Sequence, residues 1–238
     1  NVLIKNSELS DLYDAVASGR RITDSEALRL FGSKDLNGLG VLARMAAERK
    51  VGRRATYILN RYINYTNYCI LRCQFCSFAR RKRDGNGFEL TIDEIVAKAR
   101  EALAFGVTEL HIVGGLHPTL PFDYYLEMLR ALKALDACLQ LKCFTAIEVR
   151  HMAAISGKSV AAVLEALRSA GLDSLTGGGA EIFEPRVRNA IARGKETAEE
   201  WLEVHRLWHR MGGKSTCTML YGHVESCADR VDHLRRLR

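Results

Sequence analysis

The stretch NYTNYCILRCQFCSF, residues 64–78, contains three cysteines within eight residues. It overlaps the segment TYILNRYINYT at residues 56–66, whose β-branched and aromatic residues predict a β-strand. Cys69, Cys73 and Cys76 therefore stand on the loop that leaves a strand, in the spacing C-x3-C-x2-C. The fold and function predicted for the chain depend on what these three thiols bind.

Zinc, a disulfide, a catalytic thiol and an iron–sulfur cluster are the possible uses of these cysteines. A structural zinc site needs four ligands, and neither His111 nor His117 has a partner at a zinc-type spacing. A disulfide with one thiol left over is unfavourable in a reducing compartment, and a catalytic thiol needs only one cysteine. The spacing therefore favours a [4Fe–4S] cluster held at three irons, with the fourth iron open to a small-molecule ligand.

Downstream of the first strand, short strand patterns alternate with amphipathic helices. Strands are predicted at residues 107–115, 139–148, 172–179 and 214–222, and helices at 91–106, 121–136, 159–171 and 197–213, with a last helix from about residue 226. Capping boxes open two of these helices, at Thr91 with Glu94 and at Thr197 with Glu200. The alternation predicts an α/β fold with a parallel sheet, either doubly wound or barrel-like.

The N-terminal part has a different pattern. Residues 1–55 predict only helices, one of them opened by a capping box at Thr23 and Glu26. We therefore expect an N-terminal helical segment at 1–55 and a βα core at 56–238. Because the first residue is not Met and the last residues read as a helix, we also expect the chain to be a piece of a longer protein.

The composition is that of an ordinary globular protein, with 47% hydrophobic and 26% charged residues. No apolar run of about 18 residues occurs, and NVLIKNSELS at the N-terminus has no secretory pattern, so we predict a cytoplasmic protein without membrane contact. The dispersed Cys138, Cys143, Cys217 and Cys227 are interpreted as buried, reduced residues. The +7 charge is scattered and lacks interleaved aromatics, so we predict an anionic small-molecule substrate and no nucleic acid.

The cysteine spacing after the first strand of a βα array resembles the signature of the radical S-adenosylmethionine (SAM) enzymes. The resemblance implies a TIM-type (βα) barrel, cut short here after about five βα units. It implies that Cys69, Cys73 and Cys76 bind a [4Fe–4S] cluster with one open iron, to which SAM binds as cosubstrate. It further assigns cofactor binding to Gly114 and Gly115, which follow the second strand, and to Phe75 and Phe78 on the cysteine loop.

Residues 60–80 resemble the subgroup that makes menaquinone by the futalosine route and the deazaflavin cofactor. Three further segments most resemble the aminofutalosine synthases of menaquinone biosynthesis: residues 111–133, 175–183 and 215–226. In that family the 5′-deoxyadenosyl radical adds to 3-[(1-carboxyvinyl)oxy]benzoate, giving 6-amino-6-deoxyfutalosine and CO2. A one-electron donor such as flavodoxin or ferredoxin is the implied protein partner. The dehypoxanthine futalosine cyclases and the deazaflavin-cofactor synthases of the same subgroup remain alternatives. The turn GLHP at residues 115–118 favours the aminofutalosine synthases.

Active sites of parallel βα sheets lie at the carboxyl ends of the strands, so residues directly after each strand are the site candidates. Arg80, His117 and His223 are predicted catalytic residues. Arg80 and His117 could bind the substrate carboxylates, and His223 could act as an acid or base. Glu148, Gly178 and Glu181 are predicted to bind SAM. His205 and His209, which lie on a predicted helix, are expected outside the site.

Overall fold

The computed structural model describes residues 2–238. Helices form first, and five short strands then alternate with further helices. The N-terminal helices are α1 (Val2–Lys5), α2 (Tyr13–Ser18), α3 (Asp24–Gly32) and α4 (Leu36–Val51). The strands are β1 (Asn60–Ile63), β2 (Glu109–Ile112), β3 (Gln140–Cys143), β4 (Ser174–Leu175) and β5 (Lys214–Ser215). Between and after them lie α5 (Ile92–Ala104), α6 (Phe122–Leu135), α7 (Ala146–Ser156), α8 (Val160–Ser169), α9 (Pro185–Ile191), α10 (Ala198–Arg210) and α11 (Cys227–Leu237).

The sheet is parallel, and its strands follow one another in sequence order, β1-β2-β3-β4-β5. A doubly wound sheet would reverse its order at a switch point, whereas a barrel adds each strand beside the last. The sequential order therefore confirms the barrel-type α/β fold, with five βα units in the chain and helices preceding them.

One face of the sheet forms the core. Leu110, Ile112, Leu141 and Leu175 are fully buried on it. Side chains alternate between the faces of a strand, so the residues between them lie on the opposite face, where Tyr62 stacks on His111 with ring centroids 4.5 Å apart. The helices thus cover the apolar face, and the other face is more polar.

The predicted helix starts at Thr23, Thr91 and Thr197 are confirmed, each with its capping box. The predicted third strand, 139–148, is too long: it ends at Cys143, and Thr145 caps α7 with Glu148 as its capping-box partner. Helix α7 had no separate prediction because its first turn, TAIE, continues an apolar run. Helix α9 was also missed; Glu184 caps it and Pro185 is its first residue.

The dispersed cysteines were predicted to be buried, which is correct only for Cys143. Cys138 and Cys217 are exposed in loops, and Cys227 is exposed as the first residue of α11. Loop and helix-start positions provide no enclosing core, so burial cannot be inferred from residue type there. All seven cysteines are free thiols.

The chain divides into two compact units. One contains the residues up to Tyr57 together with Glu225–Arg238, and its core includes Ile4, Leu9, Leu12 and Leu42. The other unit, Ile58–Val224, contains the sheet. The predicted boundary between residues 55 and 56 stays a prediction. Within residues 2–238, every helix is too short or too polar to cross a membrane.

Candidate active site

Cys69, Cys73 and Cys76 line one pocket of about 160 Å³. The residues after β2 and β3, including Gly114, Gly115 and Thr145, form the neighbouring wall. The pocket therefore lies at the carboxyl ends of the first three strands, where βα barrels carry their active sites. Phe75 and Phe78 also line it, and their predicted role in cofactor binding stays a prediction.

Backbone hydrogen bonds attach the cysteine loop to three parts of the sheet unit. The Cys69 N–H donates to the carbonyl of Arg80 (2.9 Å), and the Ile70 N–H donates to that of Leu116 (3.0 Å). Further along, the Gln74 N–H donates to the carbonyl of Ile191 at the end of α9, at 2.7 Å. These bonds set the path of the loop before any ligand binds.

The sulfur of Cys69 accepts two backbone hydrogen bonds. The N–H groups of Leu71 and Leu116 each lie 3.4 Å from Sγ. Burial raises the pKa of the Cys73 thiol above its ordinary value. Amides directed at cysteine sulfurs are a common feature of iron–sulfur sites, where they stabilise the thiolate and influence the reduction potential.

The three thiols share one pocket. Within residues 2–238, no three His, Cys, Asp or Glu side chains converge closely enough to hold a single metal ion. Three thiols around one cavity are the donor set of a [4Fe–4S] cluster in which three irons each take one cysteine. The donor set fits the cluster proposed from the spacing.

Gly114 and Gly115 are surrounded by protein. A Cβ atom at Gly114 would lie 2.5 Å from the Tyr65 ring, and one at Gly115 would lie 2.2 Å from the carbonyl oxygen of Tyr68. The pair therefore lets the turn after β2 lie directly against the strand end and the cysteine loop. Its predicted contact with SAM stays a prediction.

Glu148 lies in the first turn of α7 and is buried, not at the end of a strand as predicted. Its Oε1 accepts hydrogen bonds from the Tyr65 hydroxyl (2.6 Å) and the Gly114 N–H (3.0 Å). Its Oε2 accepts from the Thr145 N–H and hydroxyl, both at 2.7 Å. Burial raises the pKa of Glu148, although these hydrogen bonds act in the opposite direction. Both oxygens are engaged by the protein, and the predicted contact with SAM stays a prediction.

His117 is buried in the turn between β2 and α6. Its Nδ1 accepts from the N–H groups of Thr119 (3.1 Å) and Leu120 (2.9 Å), so the proton is on Nε2, which donates to Glu89 at 2.5 Å. Burial lowers the pKa of His117 and outweighs the opposing effect of Glu89. These are the contacts of an anchor for the turn, and the catalytic role stays a prediction.

Arg80 and His223 both contact their own loops. The Arg80 guanidinium donates to the carbonyls of Ser77 (2.7 Å) and Ala79 (2.9 Å), so it stabilises the end of the cysteine loop. His223 is exposed and its Nε2 lies 2.9 Å from the carbonyl of Leu220. Their predicted catalytic roles stay predictions.

Lys195 is a pocket residue that the sequence did not reveal. It lines the same pocket as the cysteines, and its Nζ donates to Glu181 at 2.6 Å, with both side chains 10% exposed. Its Nζ also lies 5.7 Å from the centre of the Phe75 ring. Burial lowers the pKa of Lys195, but the carboxylates of Glu181 and Glu196 raise it by a larger amount. The pKa of Lys195 therefore lies above its usual value. One lysine among 35 basic residues gives no sequence signal of this kind.

Glu181 and Gly178 are the remaining predicted SAM-binding residues. Glu181, held by Lys195, has a left-handed backbone with φ 46°. The Gly178 carbonyl accepts from the Trp201 indole at 3.1 Å, and a Cβ there would lie 2.8 Å from the Thr145 methyl group. SAM binding by Gly178 and Glu181 stays a prediction. His205 is buried beside Ser215, and His209 is exposed; neither lines the cysteine pocket.

The strands of the parallel sheet follow one another in sequence order, and the loop after β1 carries three thiols. Both features are those of the radical SAM enzymes that the cysteine spacing resembles. The family model described as the Radical SAM superfamily matches residues 63–237. The chain belongs to this superfamily, whose members use a [4Fe–4S] cluster and SAM as cosubstrate.

Within the superfamily, the chain is similar to aminodeoxyfutalosine synthases. It is 42% identical to that of Thermus thermophilus over 99% of the chain and 63% of the relative. It is 45% identical to that of Streptomyces coelicolor, over 96% of the chain and 59% of the relative. A cyclic dehypoxanthine futalosine synthase of Streptomyces coelicolor is 39% identical, over 99% of the chain and 60% of the relative. The chain thus spans about three-fifths of the length of these relatives.

Among solved structures, methylornithine synthase (PylB) superposes with a TM-score of 0.72 at 20% identity, covering 94% of this chain and 63% of that one. The hydrogenase maturase HydG from Carboxydothermus hydrogenoformans has a TM-score of 0.72 at 19% identity, covering 97% and 53%. At such identity these likenesses concern the fold alone, and they agree with the barrel-type sheet.

Proposed function

We propose that the protein containing this chain is an aminofutalosine synthase. It joins the 5′-deoxyadenosyl group of SAM to 3-[(1-carboxyvinyl)oxy]benzoate, with loss of CO2, and forms 6-amino-6-deoxyfutalosine for menaquinone biosynthesis. The observation that carries this proposal is the identity of 42% and 45% to two aminodeoxyfutalosine synthases over nearly the whole chain. The protein would be a transferase that forms a carbon–carbon bond.

The pocket supports a reaction that depends on positioning. When bound, the cluster and SAM supply the adenosyl radical. Cys69, Cys73 and Cys76 would each hold one iron, while Phe75 and Ile147 form part of the apolar wall of the pocket. Lys195 is the charged residue on the described pocket wall, and Glu181 fixes its position.

The substrate carries two carboxylates, which require cationic or neutral hydrogen-bond donors. Arg80 lies at the end of the cysteine loop, and we propose that its guanidinium contacts one carboxylate. His223 follows β5, and we assign it to the second carboxylate. The buried His117 holds the turn between β2 and α6 in place.

The most direct test is anaerobic reconstitution of the full-length protein, followed by incubation with SAM, a reductant and the enol-ether benzoate. Mass spectrometry should detect 6-amino-6-deoxyfutalosine. Release of 5′-deoxyadenosine without an adduct would contradict the proposal. Cys73→Ala should lose both iron and product, whereas Cys138→Ala, at an exposed cysteine in a loop outside the pocket, should retain both.

A dehypoxanthine futalosine cyclase is the second candidate, favoured by the 39% identity to the cyclic dehypoxanthine futalosine synthase. The two activities use different substrates. Offering dehypoxanthine futalosine and the enol-ether benzoate in parallel, and identifying the product of each, distinguishes them.

We further propose a cytoplasmic location and a flavodoxin- or ferredoxin-type electron donor. Seven free thiols suit a reducing compartment, and a cluster of this kind must be reduced by one electron before it can cleave SAM. Reduction of the reconstituted protein by purified flavodoxin, followed spectroscopically, tests the donor. Fractionation of cells tests the location.

A further inference from the structure

We propose that Glu148 is a positioning residue for the cysteine loop. Its carboxylate joins the ends of the first three strands by hydrogen bonds. It thereby holds the Leu116 N–H in place to donate a hydrogen bond to the sulfur of Cys69. This role goes beyond the proposed reaction, because it concerns the cluster pocket and not the substrate.

Glu148 connects three consecutive strand ends through one buried carboxylate. Tyr65 follows β1, Gly114 follows β2 and Thr145 follows β3, and each donates at least one hydrogen bond to it, at 2.6 to 3.0 Å. The side chain is 2% exposed. A carboxylate buried among four donors holds them in one arrangement, because releasing it would leave each donor unpaired.

A short path of contacts leads from Glu148 to the sulfur of Cys69. The Gly114 N–H is bound to Glu148, and the Gly115 N–H is bound to the carbonyl of Thr66 at 3.0 Å. The next amide, that of Leu116, points at Cys69 Sγ from 3.4 Å. The turn therefore has little freedom between its anchor at Glu148 and the cysteine.

Steric contact makes this coupling stiff. The space beside Gly114 is filled by the ring of Tyr65, whose hydroxyl is itself bound to Glu148. The space beside Gly115 is filled by the backbone of Tyr68 and by Cys69 Cβ. A shift of the glycine turn would thus have to move the cysteine loop, or the amide would leave the sulfur.

Helix capping does not require this burial. The same motif at Thr91 and Glu94 forms its capping box in solvent. Burying a carboxylate is costly, so the additional bonds from Tyr65 and Gly114 indicate a function beyond starting α7.

The test compares Glu148→Gln with Glu94→Gln in the full-length, anaerobically reconstituted protein. Glutamine at position 148 retains the shape of the side chain but replaces one carboxylate oxygen by an NH2 group. That group faces two hydrogen-bond donors, so two of the four hydrogen bonds are disrupted. Because amides on cysteine sulfurs raise the reduction potential of a cluster, we expect the midpoint potential of Glu148→Gln to become more negative and its reduced electron paramagnetic resonance spectrum to change. Glu94→Gln should match the wild type in both.

Tyr65→Phe is the second variant, because it removes a single hydroxyl and retains the packing against Gly114. It should shift the potential in the same direction by a smaller amount. If Glu148→Gln does not fold or does not bind about four irons, the midpoint potential of Tyr65→Phe alone tests the proposal. Unchanged potential and spectrum in the variants that load the cluster would overturn the proposal. These readouts involve no substrate, so failure of the synthase assay and failure of this inference are distinguishable.

Discussion

Two helix starts in the sheet unit, Thr91–Glu94 at α5 and Thr145–Glu148 at α7, use one motif in different surroundings. In both, the threonine N–H donates to glutamate Oε2 at 2.7 Å. Glu94 is exposed, and the backbone hydrogen bond from Thr91 lowers its pKa. Glu148 is buried, and burial raises its pKa even though it accepts four hydrogen bonds.

The difference shows how a local motif acquires a second role. At α5 the capping box satisfies the helix end and nothing more. At α7 the second carboxylate oxygen is available for Tyr65 and Gly114, because these strand ends lie next to one another in the parallel sheet. The capping bond is local, whereas the connection between strands exists only in the folded protein.

The largest effect should come from removing each carboxylate. Glu148→Ala leaves the Tyr65 hydroxyl and the Gly114 amide buried without an acceptor, so we expect it to lower the free energy of unfolding by roughly 3 to 5 kcal/mol. Glu94→Ala loses only an exposed cap and should cost about 1 kcal/mol. Urea denaturation of both variants measures the difference. An equal decrease in the free energy of unfolding in both variants would show that Glu148 contributes no more to stability than the exposed cap at Glu94.

A third carboxylate, Glu196, sharpens the comparison because it is buried and, within residues 2–238, neither of its side-chain oxygens accepts a hydrogen bond, with the Arg188 guanidinium 3.9 Å away. Burial raises the pKa of Glu196 to about 7 from 4.5, which corresponds to about 3 kcal/mol. Between these values the folded protein keeps a proton that the unfolded chain has released. Stability is therefore lost as the pH rises through this window.

Glu196→Gln has no such titration. The stability of the variant relative to the wild type should increase by about 3 kcal/mol between pH 5 and pH 8. Denaturation curves at several pH values measure it. If the stability difference between the variant and the wild type is the same at pH 5 and pH 8, the pKa of Glu196 is not raised in the folded protein.

The smallest effect concerns a single hydroxyl on the Glu148 carboxylate. Tyr65→Phe removes one hydrogen bond to a charged or partly charged acceptor and should cost about 1 to 2 kcal/mol. Tyr124→Phe is the matched control, because the Tyr124 hydroxyl donates to the carbonyl of Leu90 and not to Glu148. A larger loss at Tyr124 would contradict the importance assigned to Glu148.

Much of the fold was predictable because its signals are local. Alternating apolar patterns predicted the βα order, and the boxes at Thr23, Thr91 and Thr197 marked helix starts correctly. The box at Thr145 escaped notice because Phe144, Ala146 and Ile147 continue the apolar run of β3. Strand length is decided by neighbouring strands and caps, which a single segment does not reveal.

The candidate site was predictable only in part. The cysteines and Phe75 stand on one loop, so their spacing alone brought them together. Lys195 reaches the same pocket from the segment between α9 and α10, more than a hundred residues away in sequence. The predicted role of His117 rested on its position after a strand, which does not show that Nδ1 accepts from amides of the turn and that Nε2 donates to Glu89.

The sequence by itself determined the βα order, the helix starts at Thr23, Thr91 and Thr197 and the three-cysteine loop, because each depends on residues close together in the chain. Only the tertiary structure decided which groups meet at Glu148, how closely Gly115 lies against Tyr68, and which cation lines the pocket. Those contacts join residues from separate strands. Burial and hydrogen-bond partners are properties of the assembled sheet, and a local pattern carries no information about them.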